Sequence, residues 1–525
     1  MDTLTPYIRE NWFGSTLGYV PCLVKTARNS DAPQYMKEII MFLRHAFLGT
    51  TLFALMSSTA MADPATPEEA ARLVALFQTY IGAEPGVVSV EPAGDAYTVT
   101  LDFAPLIAKA SPDTFTGTVT PYVMTITDNG DGTWATATDQ AFEASFTAAG
   151  ISDFSYKMAS LKGTGVFDEA LSAFTSSRSD FTDISFTQTV TIPDTPPSTS
   201  STSATSGFYE SEAVSGAEAG VDSKVTYALT GYTQTMAIPG APGAPAADVT
   251  IEAESYGGDA TLTGFDPAAF YKLIAWFVAH PSKEAIKADQ AGLKALLTEG
   301  MPFFQNINIT GGMQNATITT PVGVFNVATV GIDMEANGLV EDGLFREGIT
   351  LSGLTIPDGL APEWSAGLVP EDLAFDVTVS GFNAASPVAA VIAAFDLTKP
   401  EPIDPTMQGS LMAAFMPNGA VDIELAPGSV SSDMYNLTYE GAMTAGPGSM
   451  PVGKATVTMT GMEAVLAALQ AAPPEVSGQI VPVLGMAKGM ATPGEEGALV
   501  WDIDASVPGT LMVNGTDLMM MMGGQ

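Results

Sequence analysis

The feature that most constrains the fold of this chain is a period-two alternation of apolar residues with serine and threonine. In residues 97–103, large apolar residues alternate with threonine and aspartate, and residues 184–192 repeat the pattern. Side chains of a β-strand point alternately to opposite faces, so the pattern predicts sheets with one buried and one solvated face. The segment 125–137 (TITDNGDGTWATA) predicts a hairpin, because its Asn-Gly and Asp-Gly pairs favour tight turns. The alternative, a calcium loop, needs oxygen ligands where Gly130 and Gly132 stand.

A short unit recurs along the chain: apolar, Thr, apolar, Ser or Thr, Gly, apolar, with small departures in the first two copies. The copies are YALTGY (227–232), ATLTGF (260–265), ITLSGL (349–354), VTVSGF (377–382) and VTMTGM (457–462), with glycines Gly231, Gly264, Gly353, Gly381 and Gly461. Their irregular spacing excludes a solenoid of constant period. We interpret the unit as a strand that ends in a glycine bend and continues into a short amphipathic helix. The alternative is chance similarity among threonine-rich strands.

Helix signals follow three of these copies. The helical patterns begin at Asp266-Pro267, Asn383 and Glu463. Residues 160–174 (SLKGTGVFDEALSAF) resemble a looser copy of the unit. Two more helices are predicted from capping residues: Thr66 and Glu69 form a capping box, and Ser282 begins a pattern with apolar residues on one face.

The predicted fold class is α+β, with mostly antiparallel, curved β-sheets and short amphipathic helices packed on one face. We expect an N-terminal α+β unit over 63–195 and a C-terminal β-rich unit with strand-Gly-helix repeats over 221–525. Between them, residues 196–220 are rich in serine, threonine and proline and predict a linker or exposed loop. Residues 238–248 predict a second flexible stretch.

Residues 41–62 (MFLRHAFLGTTLFALMSSTAMA) have the layout of a secretion signal. A basic start at Arg44 precedes an apolar run of about ten residues, which is too short to span a bilayer. The expected cleavage residues are Ala60 and Ala62, with Asp63 as the first residue of the mature protein. The alternative interpretation is a buried core helix.

A signal peptide leads a chain, so we expect translation to start at Met41, with Met36 as the alternative, and residues 1–40 to be untranslated. The one cysteine, Cys22, lies upstream of the signal. The mature chain is then free of cysteine, which excludes disulfides, thiolate metal ligands and a cysteine nucleophile. A large exported protein without disulfides favours the periplasm of a Gram-negative bacterium.

The chain is strongly acidic. It has 58 acidic and 19 basic side chains, for a formal net charge of −39. Such a field disfavours nucleic acid and anionic lipid headgroups as partners. It indicates either binding of cations or basic proteins, or solubility in a salty habitat, and we favour solubility.

Few residues can carry chemistry in the mature chain. Its one histidine, His280, follows an apolar helical pattern and precedes Pro281, which predicts a helix C-cap. A lone histidine without cysteine excludes multi-histidine zinc sites and Cys-His dyads. The phosphate-binding, dinucleotide-binding and G-x-S-x-G motifs do not occur in the sequence. Paired carboxylates and a Ser-Lys hydrolase stay open, and we assign no catalytic, cofactor-binding or metal-binding residue.

Methionine is the remaining candidate ligand. Met519 to Met522 form a run, and Met486 and Met490 are four residues apart. Thioethers suit copper(I), but core filling or an adaptable apolar surface is the interpretation we favour.

The C-terminal region resembles an uncharacterised alphaproteobacterial exported family, domain-of-unknown-function 2125. Residues 457–469 and 485–491 are similar to a helix pair, and 497–518 to a strand that ends in a G-x-[LV]-x-[VL]-N-G-x-x-L motif. The matching residues are Gly509, Leu511, Val513, Asn514, Gly515 and Leu518. The resemblance covers about the last 70 residues. It implies an exported protein without a known reaction and transfers no functional residue.

We therefore expect a non-enzymatic periplasmic protein, either a binding or carrier protein for a hydrophobic ligand or an envelope-assembly module. This expectation rests on the predicted large sheet, which has one apolar face covered by helices. One alternative is a structural or protein-interaction component of the cell envelope, which would bind through sheet edges. Another is a hydrolase with an unrecognised carboxylate or Ser/Lys site. We expect no cofactor, no nucleic acid and no transmembrane segment in the mature chain.

Overall fold

The computed structural model describes residues 64–109, 115–191, 197–217, 220–238 and 247–518. Several predictions lie outside these residues: the untranslated segment 1–40, the signal peptide, Ala60, Ala62, Asp63, Cys22, most of the flexible stretch at 238–248, and Met519–Met522. The described residues other than 399–401 belong to one compact unit. Within the described part of the chain, none of the helices combines the length and the apolar character needed to cross a membrane.

Antiparallel strands dominate the fold, which confirms the predicted β-rich, mostly antiparallel character. In the described residues, the first ten strands are β1 (Val88–Ala93), β2 (Ala96–Leu101), β3 (Phe115–Val119), β4 (Tyr122–Asp128), β5 (Thr133–Ala148), β6 (Ser152–Asp168), β7 (Ala173–Val190), β8 (Ser198–Ser215), β9 (Val221–Ile238) and β10 (Ala247–Phe265). They are followed by β11 (Asn306–Thr320), β12 (Gly323–Asn337), β13 (Gly343–Ser352), β14 (Asp372–Phe382), β15 (Val421–Ser431), β16 (Asn436–Ala445), β17 (Val452–Thr460), β18 (Thr492–Pro493), β19 (Leu499–Asp504), β20 (Met512–Val513) and β21 (Thr516–Asp517).

These strands form one long meander. Each strand from β5 to β16 pairs with the next strand along the chain. Beyond β5 the sheet continues through β4, β2 and β1, with β3 also on β5, and beyond β17 it continues through β19, β20 and β21. Short β18 pairs with β19. The sheet is open, because its outer strands β1 and β21 are not paired with each other among the described residues.

Nine α-helices connect or precede strands in the described residues. They are α1 (Pro67–Ile81), α2 (Ala104–Lys109), α3 (Pro267–Ala279), α4 (Lys283–Ala288), α5 (Gln290–Gly300), α6 (Ala385–Ala394), α7 (Gln408–Phe415), α8 (Met462–Gln470) and α9 (Pro474–Met490). Leu73 of α1 shares a buried cluster with Trp134 of β5. Leu466 of α8 shares another with Trp501 of β19. These clusters attach the two helices to sheet residues.

An ion pair fixes α1 to the turn after β6. Arg72 contacts both carboxylate oxygens of Glu169, at 2.9 and 2.6 Å. The indole N–H of the buried Trp134 donates to Glu169 Oε1 at 2.6 Å. The Arg72 guanidinium, followed by the Trp134 hydrogen bond, holds the pKa of Glu169 below its ordinary value, against the opposing effect of burial.

Glycines of the recurring unit begin three helices, as predicted. Gly264, Gly381 and Gly461 have positive φ angles and stand shortly before α3, α6 and α8. At the first of these, the N–H of Gly264 donates to Asp222 Oδ1 at 2.8 Å. The predicted caps are also present, since Asp266 accepts from the N–H of Ala269. Glycine is favoured here because side chains strain a left-handed backbone.

The other two glycines of the unit lie on a row that crosses the sheet and interrupts its ladder. The row consists of Asp183, Thr205, Gly231, Glu254, Asn315, Ala328 and Gly353, as the pairs on either side fix. We call these residues the bend row. Asp183, Gly231, Asn315 and Gly353, on alternate strands, have φ angles of 49°, 64°, 49° and 64°. The bend row therefore places a left-handed residue on every second strand from β7 to the end of β13.

The bend row reverses the alternation of side chains. Leu229 and Tyr232 flank Gly231 and are three residues apart, and Ala253 and Tyr256 flank the same row on β10. In a regular strand, residues three apart point to opposite faces. All four instead pack in one hydrophobic cluster. The sheet therefore keeps its apolar residues on one face across the row.

The linker or loop expected at 196–220 is wrong for the part of this segment that the structure describes. Residues Ser198–Ser215 form β8, which pairs with β7 and β9 along its length. Its serines and threonines hydrogen-bond across the ladder, as between Ser177 and Ser211 (2.6 Å). Composition was misleading because hydroxyl side chains suit a strand when they find partners on neighbouring strands. The sheet continues through the boundary expected there.

Two helix expectations also change. Residues 160–174 are no further copy of the unit, because β6 runs to Asp168, whose carboxylate accepts from the N–H groups of Ala170 and Leu171 in a turn. The helix predicted from Ser282 is divided into α4 and α5 at Asp289, which caps α5 by accepting from Gly292. The predicted hairpin at 125–137 is confirmed as the turn between β4 and β5.

Candidate functional site

One face of the sheet carries an unbroken row of apolar residues. Partners in an antiparallel ladder point to the same face, so the register defines the row. It consists of Leu161, Phe181, Gly207, Leu229, Tyr256, Met313, Val330, Leu351, Leu373, Val430, Leu437, Met459 and Leu499. We call it the apolar row and the side it lies on the apolar face. Apart from the buried Met459, each member is only half-buried.

A neighbouring row on this face contains two exposed apolar side chains, Ile332 and Phe375. It runs through Tyr227, Gly258, Gly311, Ile332, Ile349 and Phe375, each paired with the next. Ile332 is 43% exposed and Phe375 is 37% exposed, with the half-buried Ile349 between them. We call Ile332, Ile349 and Phe375 the apolar patch. The apolar patch extends about 10 Å across three strands, given the spacing of strands in a sheet.

Three tyrosines form a cluster on β9 and β10, whereas the apolar patch begins on β12. The rings of Tyr232 and Tyr256 stack with centroids 5.3 Å apart, and the ring of Tyr227 lies 6.1 Å from that of Tyr256. Burial, with the neighbouring Tyr256 and the negative charge of Asp259, raises the pKa of Tyr227 to about 12. Burial also raises the pKa of Tyr232. Both phenols therefore stay protonated at neutral pH and act as hydrogen-bonding groups.

The opposite face of the same strands is polar. Gly257, Gly312 and Gly331 are in register there and form the floor of a groove of about 520 Å³. Its walls include Asp259 and Gln314 among threonine and serine side chains. Hydroxyl, amide and carboxylate groups of this kind bind solvent and small polar molecules.

Arg346 is the centre of the charged groups on the polar face. Its Nη2 lies 2.6 Å from Asp376 Oδ2, and its Nη1 lies 3.4 Å from Asp333 Oδ1. The hydrogen bonds that Arg346 donates to Asp376 raise the pKa of Arg346, and the charge of Asp333 adds to this effect. The guanidinium therefore neutralises carboxylates that neighbour each other across β12 to β14.

A second, smaller groove contains the residue types of a Ser-Lys hydrolase. It measures about 260 Å³ and includes Ser145, Ser185, Lys157 and Glu143. The Lys157 ammonium group forms an ion pair with Glu143. The Ser145 hydroxyl is hydrogen-bonded to Thr118 at 2.8 Å. In this groove the lysine contacts a carboxylate, whereas a Ser-Lys mechanism needs its neutral amine beside the serine.

His280 is the C-cap residue of α3, as its sequence context indicates. Its ring stacks on Trp276 at 4.1 Å, its Nδ1 lies 2.7 Å from the Trp276 carbonyl oxygen, and its Nε2 lies 3.3 Å from Asp289 Oδ2. Asp289 also accepts from the indole N–H of Trp276 at 3.0 Å. The histidine thus joins the end of α3 to the start of α5.

Other residues that the sequence singles out are dispersed. Met486 on α9 is 52% exposed, whereas Met490 packs against the cluster around Trp501. Asn514 forms the turn between β20 and β21, where its amide donates to the carbonyl oxygens of Met490 and Val500, both at 2.8 Å. These hydrogen bonds give Asn514 of the Asn-Gly motif a structural role.

Sequence reasoning missed the tyrosine cluster and the apolar patch. One signal was present, since Tyr227 and Tyr232 begin and end the first copy of the recurring unit, YALTGY. The pairs Gly257-Gly258 and Gly311-Gly312 were a second signal. A side chain at Gly258 would begin 1.9 Å from the carbonyl oxygen of Thr310. Glycine pairs inside strands indicate close approach of backbone or ligand.

Comparison with known proteins gives no relative: no family model, no curated protein and no solved structure matches the chain. The resemblance of residues 457–518 to the exported family stays a prediction.

Proposed function

We propose that this chain is an exported, non-enzymatic protein that binds or carries a hydrophobic ligand on the apolar face. The observation that supports the proposal best is the apolar row, which crosses the strands from β6 to β17 and β19 and stays half-buried along nearly all of its length. A sheet face that serves only as core is normally buried against another layer. Apolar area left partly open to water is typical of surfaces that bind apolar molecules.

We infer further that helices cover this face at the two ends of the sheet. The α1 cluster includes Trp134, and the register relates Trp134 to the same face as the apolar row. The α8 cluster includes Met459 and Leu499, which are members of the row. Between these covers lies the apolar patch, which is where we place the ligand.

Export to the periplasm is part of the proposal and rests on residues 41–62. Expression of the full gene in a Gram-negative host should yield a periplasmic protein whose N-terminal residue is Asp63. Recovery in the cytoplasm with an N-terminus upstream of Met41 would contradict it. This fractionation tests export separately from ligand binding.

Ligand binding is tested with the purified mature protein and a fluorescent apolar probe, N-phenyl-1-naphthylamine. We expect saturable binding, and native mass spectrometry with lipid extraction should identify any co-purified ligand. Ile332→Asp should weaken probe binding at least tenfold, or about 1.4 kcal/mol, because it places a carboxylate in the apolar patch.

Thr350→Asp is the matched control, since Thr350 is exposed and follows Ile349, so it lies on the polar face. It should leave probe binding unchanged. Equal loss in both variants would indicate a general effect of added charge. Absence of saturable binding in the wild-type protein would contradict the carrier proposal and favour the protein-interaction alternative.

A further inference from the structure

We infer that the ligand is a neutral amphiphile whose hydroxyl group binds to the Tyr227 phenol while its alkyl chain lies along the apolar patch. This inference rests on the proposed function and names the ligand class for the same face. The observation that supports it is the position of the Tyr227 phenol oxygen beside the apolar patch. Tyr227, Gly258, Gly311 and Ile332 follow one another in register on β9 to β12.

The two glycines let the tyrosine reach the patch. Gly258 adds no side chain beside Tyr227, and the Tyr227 hydroxyl lies 3.0 Å from the point where a side chain on Gly311 would begin. Ile332 is the ladder partner of Gly311. The phenol oxygen is therefore one strand away from the first residue of the patch, about 5 Å in the direction across the sheet.

The hydrogen bonding of Tyr227 favours a donor on the ligand. The ring of Tyr227 lies 6.1 Å from that of Tyr256, and hydrogen bonding between the two phenols contributes to the raised pKa of Tyr227. The lone pairs of a neutral phenol oxygen can accept a hydrogen bond. An alcohol can donate to them, whereas an alkane and a carboxylate cannot.

Charge points to the same class of ligand. Asp259 lies close enough to Tyr227 to raise its pKa, and the whole chain has a net charge of −39. An anionic headgroup would be repelled by this field, and a neutral hydroxyl would not. The distance from Gly311 to Phe375 spans three strand intervals, or about 14 Å, which suits a single alkyl chain of medium length.

The test is displacement of N-phenyl-1-naphthylamine from the mature protein by dodecane, dodecanol and dodecanoate, which share one chain length and differ in the head. Dodecanol should displace the probe at about a fifth of the concentration that dodecane needs, the effect of one neutral hydrogen bond. Dodecanoate should be weaker than dodecanol. Tyr227→Phe should remove the advantage of dodecanol over dodecane, because phenylalanine keeps the ring and removes the hydroxyl.

Tyr435→Phe is the control, because the Tyr435 hydroxyl bonds to the carbonyl oxygen of Leu368 and lies in the cluster beneath α8. It should keep the preference for dodecanol. Equal displacement by dodecanol and dodecane, a preference for dodecanoate, or a preference that survives Tyr227→Phe would each overturn the inference while leaving the carrier proposal intact. Failure of the probe to bind at all would count against the carrier proposal instead.

Discussion

At the scale of single residues, Glu169 has the most consequential set of contacts in the N-terminal part. It joins a helix to the sheet through Arg72 and caps the indole N–H of the buried Trp134. Removing its charge leaves the buried Trp134 N–H, as well as the exposed Arg72 guanidinium, with a weaker acceptor. Such groups matter because an unsatisfied buried donor costs more than a hydrogen bond contributes.

We expect Glu169→Gln to lower the free energy of unfolding by about 1–3 kcal/mol at neutral pH. The pKa of Glu169 is depressed in the folded protein, so its contribution is present above about pH 4.3, the ordinary value for glutamate, and is lost as the pH falls through the folded pKa. The difference between variant and wild type should therefore shrink in acid. Urea denaturation at neutral and acidic pH measures both quantities.

Glu143→Gln is the matched control for this prediction. Its carboxylate also pairs with a cation, Lys157, but both side chains are more than half exposed, at 58% and 57%. An exposed pair contributes little, so this variant should be close to wild type at every pH. Equal destabilisation by the two substitutions would show that Glu169 acts only through net charge.

At the scale of elements, the bend row predicts opposite effects for substitutions on different strands. A side chain at a left-handed position costs roughly 1–2 kcal/mol. Gly353→Ala should therefore lower the free energy of unfolding by about that amount, whereas Asp183→Gly, at a φ of 49°, should maintain or raise it. Chemical denaturation of both variants is the measurement.

Gly348→Ala serves as the control within β13. Gly348 is not among the residues with positive φ, and an added side chain there would meet its nearest neighbour at 3.4 Å, an ordinary contact. It should be nearly neutral. If Gly353→Ala were equally harmless, the bend row would not depend on left-handed glycine.

The same elements show how far sequence could go. Alternation and capping residues predicted the hairpin at 125–137, the start of α1 and three glycine-led helices, because those signals are local. The glycines of the recurring unit have two roles that the sequence does not distinguish. Gly264 lies at the end of a strand, before a helix, whereas Gly231 interrupts a strand within the sheet. What separates them is the register between strands such as β10 and β11, which lie far apart in sequence.

At the scale of the whole molecule, the apolar row could not be predicted from the sequence, because it depends on the register between strands. Each strand contributes one member, and only the ladder pairs assemble them into a continuous surface. Composition was more informative about charge, because 58 acidic side chains must lie mostly in contact with water whatever the fold. That excess of acidic side chains makes the stability of the folded chain depend on ionic strength.

Mutual repulsion among the carboxylates should destabilise the folded chain at low ionic strength. The Debye length falls from about 30 Å at 0.01 M to about 8 Å at 0.15 M salt, so added salt screens neighbouring charges on the sheet. We expect the urea midpoint to rise with NaCl, and to rise equally with KCl, since screening depends on ionic strength and not on the cation. A rise in the urea midpoint with only one of the two cations would indicate a specific cation site. A midpoint independent of salt would mean that the ion pairs around residues such as Arg346 already neutralise the negative field locally.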